Sequence, residues 1–288
     1  MTVPASSGVH LREIAEDDLP GVADLLSRGF WLRSKDYWLR GLRRQASRQL
    51  PAGSPKYGYV LVDGGQPVGA VLVFSSTMQG GEGPVLRSNL SSWYVEPKYR
   101  SFGSLLITSA LKRNKDATYF NVSPACHTWE TVEAQGFSPY CRGDMACIPA
   151  LSRRAESVTI EVITEDSTAR GDPEIAVLAE HARFGCLSMM VHHDRGDFPF
   201  VFQKQWLKRI LPYFRLMYCR DIAHFAQFAG NLGRFLLRHG PPVVVVDANA
   251  RVPGLIGIYS EARGRKYFRG PNTPRLGDLA FSESVFFG

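Results

Sequence analysis

The sequence predicts a mixed α/β protein built as two units, and three observations carry that expectation. The chain has 288 residues, which at roughly 100 to 200 residues per domain allows two ordinary domains or one large one. Short β-like runs alternate with amphipathic stretches through the first half. Around residues 149–157 the apolar periodicity lapses at Pro149 and Arg153-Arg154, and the alternation then restarts. The division is therefore 1–148, a linker over 149–157 and a second α/β unit over 158–288.

Residues 9–14 read as a strand. Asp17 and Asp18 then stand where acids favour a helix start, ahead of Leu19, Val22, Ala23 and Leu26 at helical spacing. Ser34 caps a second helix reaching Gln45, and Pro51 to Pro55 ends it. Residues 57–62 and 68–74 flank Asp63-Gly64-Gly65-Gln66-Pro67, a hairpin signature. A glycine-rich loop (Gly80, Gly81, Gly83) leads to a strand over 88–95, a basic turn, a helix through Leu105 to Leu111, a strand over 119–122, a short helix over 127–134 and a last strand pair ending at Cys147.

In the second unit a strand (158–163) precedes a helix over 173–184, while residues 186–213 match neither period. Asp221 opens an amphipathic helix carrying Ile222, Phe225, Ala229, Leu232 and Leu236 on one face. Strands are expected at 243–246, 255–259, 266–268 and 279–287, the last two forming a terminal hairpin.

Hydrophobic residues are 44% and charged residues 21%, so the chain can bury a core and need not be disordered. The longest aliphatic run, Val243 to Val246, falls far short of the roughly 18 residues of a spanning helix. Residues 1–8 read as a short tail without a signal peptide's basic flank and apolar stretch. Five cysteines, Cys126, Cys141, Cys147, Cys186 and Cys219, include no close-spaced pair, and reduced thiols in a cytoplasm fit them. The net charge of +7 is spread over both halves, +3 in residues 1–150 and +4 in 151–288, so neither half is a basic arm. One cluster, Arg28, Arg33, Lys35, Arg40, Arg43, Arg44 and Arg48, reads as a solvated helix face or as a surface for an anionic ligand. No nucleic-acid recognition motif accompanies it, so nucleic acid is not the expected partner.

The most informative run is Trp93-Tyr94-Val95-Glu96-Pro97-Lys98-Tyr99-Arg100-Ser101-Phe102-Gly103-Ser104-Leu105. A strand that ends near a proline, turns and enters a helix offers free backbone N–H groups to an anion, and Arg100 adds a permanent cation. Val95, Pro97, Arg100 and Gly103 resemble the acyl-CoA-binding motif of the GNAT acyltransferase superfamily. A second match follows at Asn121-Val122-Ser123-Pro124 and Gln135-Gly136-Phe137, so the resemblance covers residues 9–147. Leu105 departs from the pattern, which has Gly or Ala there.

The resemblance implies a mixed, mainly antiparallel sheet flanked by helices, with fourth and fifth strands splayed to admit pantetheine. Acyl-CoA, acetyl-CoA by default, would bind Trp93, Tyr94, Val95, Arg100, Ser101, Phe102, Gly103, Ser104, Leu105 and Asn121. No metal is expected. The partner would be a small-molecule or peptide amine that accepts the acyl group; an oligomer is compatible with the sequence. Many family members place an acidic Tyr four residues before the Gly of Gly-Phe, where this chain has Val132, and the fourth strand has no carboxylate to act as base. Candidates for the proton chemistry are Tyr140, Glu96, His127 and Cys126. A non-catalytic acyl-CoA-binding or sensory protein is the alternative.

The second unit resembles a worn copy of the first, with Tyr218-Cys219-Arg220-Asp221 in place of the anion turn but without its glycine. Gly230-Asn231-Leu232-Gly233 reads as a close-packing site within a helix. His192-His193-Asp194 with Asp197 is a poor metal set, because consecutive ligands seldom converge on one ion. Asp278 or Glu283, in the closing segment, could close over the first unit's cleft.

Overall fold

A computed structural model describes residues 8–80, 83–167, 172–207 and 210–287. Most of the expected tail, residues 1–7, and Gly81 of the glycine-rich loop lie outside these residues. The first half runs β1 (His10–Glu13), α1 (Leu19–Gly29), α2 (Lys35–Ala46), β2 (Gly58–Asp63), β3 (Gln66–Gly80), β4 (Gly83–Val95), α3 (Gly103–Arg113), β5 (Thr118–Asn121), α4 (Trp129–Ala134), β6 (Ser138–Cys141) and β7 (Gly143–Cys147). The second runs β8 (Thr159–Ile163), α5 (Pro173–Arg183), β9 (Leu187–His193), β10 (Gly196–Leu207), β11 (Leu211–Cys219), α6 (Ile222–Leu236), β12 (Val244–Ala248), β13 (Gly257–Ser260), β14 (Lys266–Arg269) and α7 (Glu283–Phe287). Ser34 caps α2 by accepting the Tyr37 amide at 3.3 Å. The stretch without a readable period is strand: Pro199 sits just outside the first β10–β11 pair, Phe200 with Cys219, where β10 has no partner on that side and a missing N–H is tolerated.

Two seven-stranded sheets result, ordered β1-β2-β3-β4-β5-β14-β6 and β8-β9-β10-β11-β12-β7-β13. The orders are the same if each half contributes six strands and receives one from the other. Within each, only the fourth and fifth strands pair in parallel. The last strand pair before the linker, expected as neighbours, is therefore divided between the sheets. Only Arg142 separates β6 from β7, and the tight hairpin turn needs about two residues, so the chain runs on into the second sheet. In return β14 fills the gap between β5 and β6. A cut at the linker consequently does not separate the two sheets.

Buried charges mark the crossing. Lys266 of β14 reaches Asp247 of β12 at 3.0 Å, and Arg215 of β11 pairs with Asp144 of β7 at 2.9 Å and with Asp247. The halves also share a core: Phe74 and Phe120 from the first sheet and Met190, Val201 and Met217 from the second meet α1, α2 and α5 in one cluster. The opposite faces are covered by α3 on the first sheet and α6 on the second. Gly230 and Gly233 let the linker lie against α6, since a Cβ there would stand 2.3 Å from Arg153 O and 2.1 Å from Ala150 N.

The terminal hairpin is not formed. β14 belongs to the first sheet, and residues 279–287, read as a strand, enter the seam between the lobes and close in the short helix α7. The cause is apolar burial: Phe286 stacks on Phe74 at 5.3 Å, and Phe287 fills the space over Gly41, where a Cβ would meet its ring at 1.9 Å.

Candidate functional site

β4 and β5 pair at only three positions, Arg87 with Thr118, Ser88 with Tyr119 and Asn89 with Phe120. Beyond Asn89 the strands diverge. The β3–β4 register slips between Ala70 and Leu72, and Ser92 adopts φ 51°, so a bulge bends β4 away from its neighbour. A non-glycine residue in the left-handed region carries strain that is commonly held at functional sites. Residues 90–95 thereby keep one edge unpaired toward the gap. In the sequence the small pair Ser91-Ser92 is the bulge's only trace.

The strand delivers this open edge to the anion turn. After Val95 the chain makes a short 3-10 turn, Pro97–Phe102, fixed by Tyr99 Oη donating to Asp63 at 2.6 Å, and enters α3 with no side-chain cap. The Gly103 amide closes the 3-10 turn onto Arg100 O, and with no side-chain cap the helix start offers its dipole to an anion. Gly103 is buried, and a Cβ would approach Trp93 and Val95 at 3.4 and 3.6 Å. Arg100, Ser101, Phe102, Ser104 and Leu105 are exposed around the helix start, and Leu105, 47% exposed, turns its bulk outward. Trp93 lies toward α3 and Tyr94 toward α1, where it covers Gly29. Asn121 ends β5 across the gap and accepts the Ser123 amide at 3.2 Å. A groove lined by Ile107, Thr108, Leu111, Gln135, Gly136 and Arg269 continues between α3 and α4.

The second lobe repeats the splay but fills it. β11 and β12 pair only at Phe214 with Val244 and Arg215 with Val245. The freed edge of β11 is taken by the chain itself: the Cys219 amide donates to Gly277 O at 2.9 Å and the Leu279 amide to Met217 O at 2.8 Å. At the helix start Asp221 accepts the Ala223 amide at 2.8 Å and brings a negative charge where an anion would sit. Arg220 is bound to Glu174.

The proposed proton carriers are dispersed. Tyr140 lies on β6, separated from β5 by β14, and its buried hydroxyl has no hydrogen-bonding partner among the described residues. Burial, with Asp247 adding, pushes its phenol well above 10, which weakens it as an acid. Tyr140→Phe should therefore leave turnover within about twofold and change unfolding free energy by less than about 1 kcal/mol; a large rate loss in a folded variant would restore the tyrosine to the chemistry. Glu96 accepts two bonds from Arg28, at 2.7 and 3.2 Å. His127 and Cys126 are exposed before α4, the thiol 3.9 Å from Ala262 O.

Glu283, absent from those four candidates, is where the splay begins. Its amide donates to Asn89 Oδ1 at 2.8 Å, and its carboxylate accepts from Ser123 Oγ. The side chain is half-buried, and loss of water pushes its carboxyl up to about 7 against the opposing influence of Ser123 and Arg33. The basic cluster is largely occupied within the protein. Arg28 holds Glu96, Lys35 holds Asp24, Arg48 holds Glu180, and Arg44 donates to the carbonyls of Phe184 and Phe286. His192 lies between Asp197 and Glu161 at 2.7 and 3.0 Å. No group of three or more His, Cys, Asp or Glu suited to a metal occurs among the described residues, and no helix there is long and apolar enough to cross a membrane.

Taken together, the parallel fourth and fifth strands, the bulge, the splay and the uncapped helix define a two-lobed GCN5-related N-acetyltransferase (GNAT) fold. No protein-family model and no curated protein matches the sequence. Among solved structures the chain is similar to a GCN5-related N-acetyltransferase of Kribbella flavida, with TM-score 0.60, 15% identity, and 92% of this chain and 71% of that one covered. A counterpart from Anabaena variabilis gives 0.55 at 12% identity, covering 91% and 72%. One from Sphaerobacter thermophilus gives 0.51 at 14%, covering 94% and 98%. At these identities the likeness is one of fold.

Proposed function

We propose that the chain is an acyl-CoA-dependent N-acyltransferase with one cofactor site, in the first lobe. The observation that carries this reading is the contrast between two equivalent clefts. One presents an open β4 edge beside an uncapped helix start with Arg100; the other is filled by residues 277–279 and capped by Asp221. The first suits pantetheine along residues 90–95, the pyrophosphate at the start of α3 and the nucleotide toward the α3–α4 groove with Arg269. Acyl-CoA would supply the activated acyl group, acetyl by default, to a small-molecule or peptide amine. Holding donor and amine together supplies much of the rate in such a transfer.

Calorimetric titration with CoA should give one site per chain. Arg100→Ala should weaken binding about ten- to hundredfold, the scale of one charged hydrogen bond. Acetyl-CoA turnover with a panel of amines tests the chemistry. Two equivalent CoA sites, or unchanged affinity in a folded Arg100→Ala chain, would overturn the assignment. Binding without turnover of any amine would favour an acyl-CoA-binding protein.

A further inference from the structure

The geometry points to Glu283, carried by the closing segment from the second lobe to the first, as the group that takes the proton from the acceptor amine. This assignment rests on the acyltransferase reading above.

Glu283 is bonded across the mouth of the splay. Asn89, the last residue of β4 paired with β5, receives the Glu283 amide at 2.8 Å while its own Nδ2 donates to Phe120 O of β5 at 3.1 Å. Ser123, two residues beyond the end of β5, donates to one carboxylate oxygen. The other oxygen accepts no hydrogen bond among the described residues and remains available for an incoming N–H. Both Asn89 and Phe120 belong to the opening where a thioester pointing along the freed β4 edge would end. Glu283 approaches from the side of α2 and the inter-lobe core, opposite the α3 face that carries the anion turn. Donor and acceptor would thus enter from opposite sides of the sheet, with this carboxylate on the acceptor side.

Other carboxylates in the neighbourhood are engaged. Glu96 is held by Arg28, and Asp278 is paired with Arg87 at 2.7 Å and Arg275 at 3.1 Å. These contacts help to place Glu283. Before it, the Arg87–Asp278 pair and the Phe281 amide donating to His181 Nε2 at 3.2 Å fix the chain; after it, Phe286 and Phe287 are buried against Phe74, Tyr37 and Trp38. A base whose position is set from both sides needs little reorganisation when substrate arrives. Its carboxyl, raised to about 7 by desolvation with Ser123 and the facing Arg33 opposing, is matched to an amine near neutral pH.

The bookkeeping of the step is simple. The amine nitrogen bonds to the thioester carbonyl carbon, the C–S bond breaks, the amine proton passes to Glu283, and the CoA thiolate leaves and is protonated from water. Glu283 then returns its proton to solvent, so the carboxylate is regenerated.

The test compares wild type, Glu283→Gln and Glu283→Asp, using acetyl-CoA with n-butylamine and with glycinamide from pH 6 to 9, and measures CoA affinity by calorimetry. Gln can retain the contacts to Ser123 and Asn89 and removes a desolvated charge, so CoA affinity should stay at the wild-type value and thermal unfolding at neutral pH should not fall below it. Turnover should fall about 10²- to 10⁴-fold at neutral pH, the acid limb of the pH–rate profile assigned to the carboxyl should vanish, and Asp should lie between. A Gln variant with wild-type turnover and an unchanged acid limb would overturn the assignment while the acyltransferase reading stood. A wild-type chain that bound no CoA would remove both.

Discussion

Asp247→Asn is expected to lower the unfolding free energy of the full chain by about 3 to 5 kcal/mol, the usual cost of breaking a buried ion pair from one side. Asp247 is fully buried, and the two cations that face it, Lys266 and Arg215, are almost so. Lys266 arrives on β14, the strand that the second half gives to the first sheet; its carbonyl partner is Gly264 O at 2.8 Å. Arg215 also pairs with Asp144, on the strand that travels the other way. Asparagine keeps the shape of the site but leaves the cations short of one negative charge in a region from which water is excluded. Urea unfolding would measure the loss, and a value below about 1 kcal/mol would mean that the crossing is held by packing alone. Adding Lys266→Met should recover part of the loss, because the second cation would no longer be stranded.

That crossing shows where sequence reasoning stops. The hairpin of residues 57–74 and the turn from Val95 to Gly103 are set by neighbours in the chain, by glycine and proline positions and by period, so they can be read directly. β6 and β7 are equally legible as strands. Their separation into two sheets follows from the single residue between them together with a partner strand more than a hundred residues away, which no local period encodes. For the site, the anion turn was visible because a helix start is a local feature. The Ser92 bulge was not, since its slip is defined only against β3. Glu283 was readable only as an acid in a segment of turns and cations; its place beside Asn89 and Ser123 depends on Phe286 and Phe287 finding the pocket over Gly41 and Phe74.

His181 should make the chain depend on pH through the same segment. Nδ1 stands 2.7 Å from Val177 O, which can only accept, and Nε2 stands 3.2 Å from the Phe281 amide, which can only donate. The ring is therefore neutral with its proton on Nδ1, and a second proton would destroy the bond to Phe281. Burial lowers its pKa from 6.5 to about 4, assisted by Arg48 and opposed by the Val177 bond, Glu180 and Asp278. In the unfolded chain the imidazole gains a proton near 6.5, whereas in the folded chain it stays neutral to about 4. Its contribution is thus complete above pH 6.5 and is lost as pH falls through the window toward 4, at about 1.4 kcal/mol per unit. Glu283, raised from 4.5 to about 7, acts in the opposite direction over much of that window, so the wild-type curve alone would hide the effect. The difference from His181→Gln isolates it, because glutamine can donate to Val177 and accept from Phe281 without titrating. Between pH 7.5 and 4.5 the Gln variant should gain about 2.5 kcal/mol on wild type in urea unfolding, and parallel curves across that range would show that the imidazole is not held neutral against Phe281.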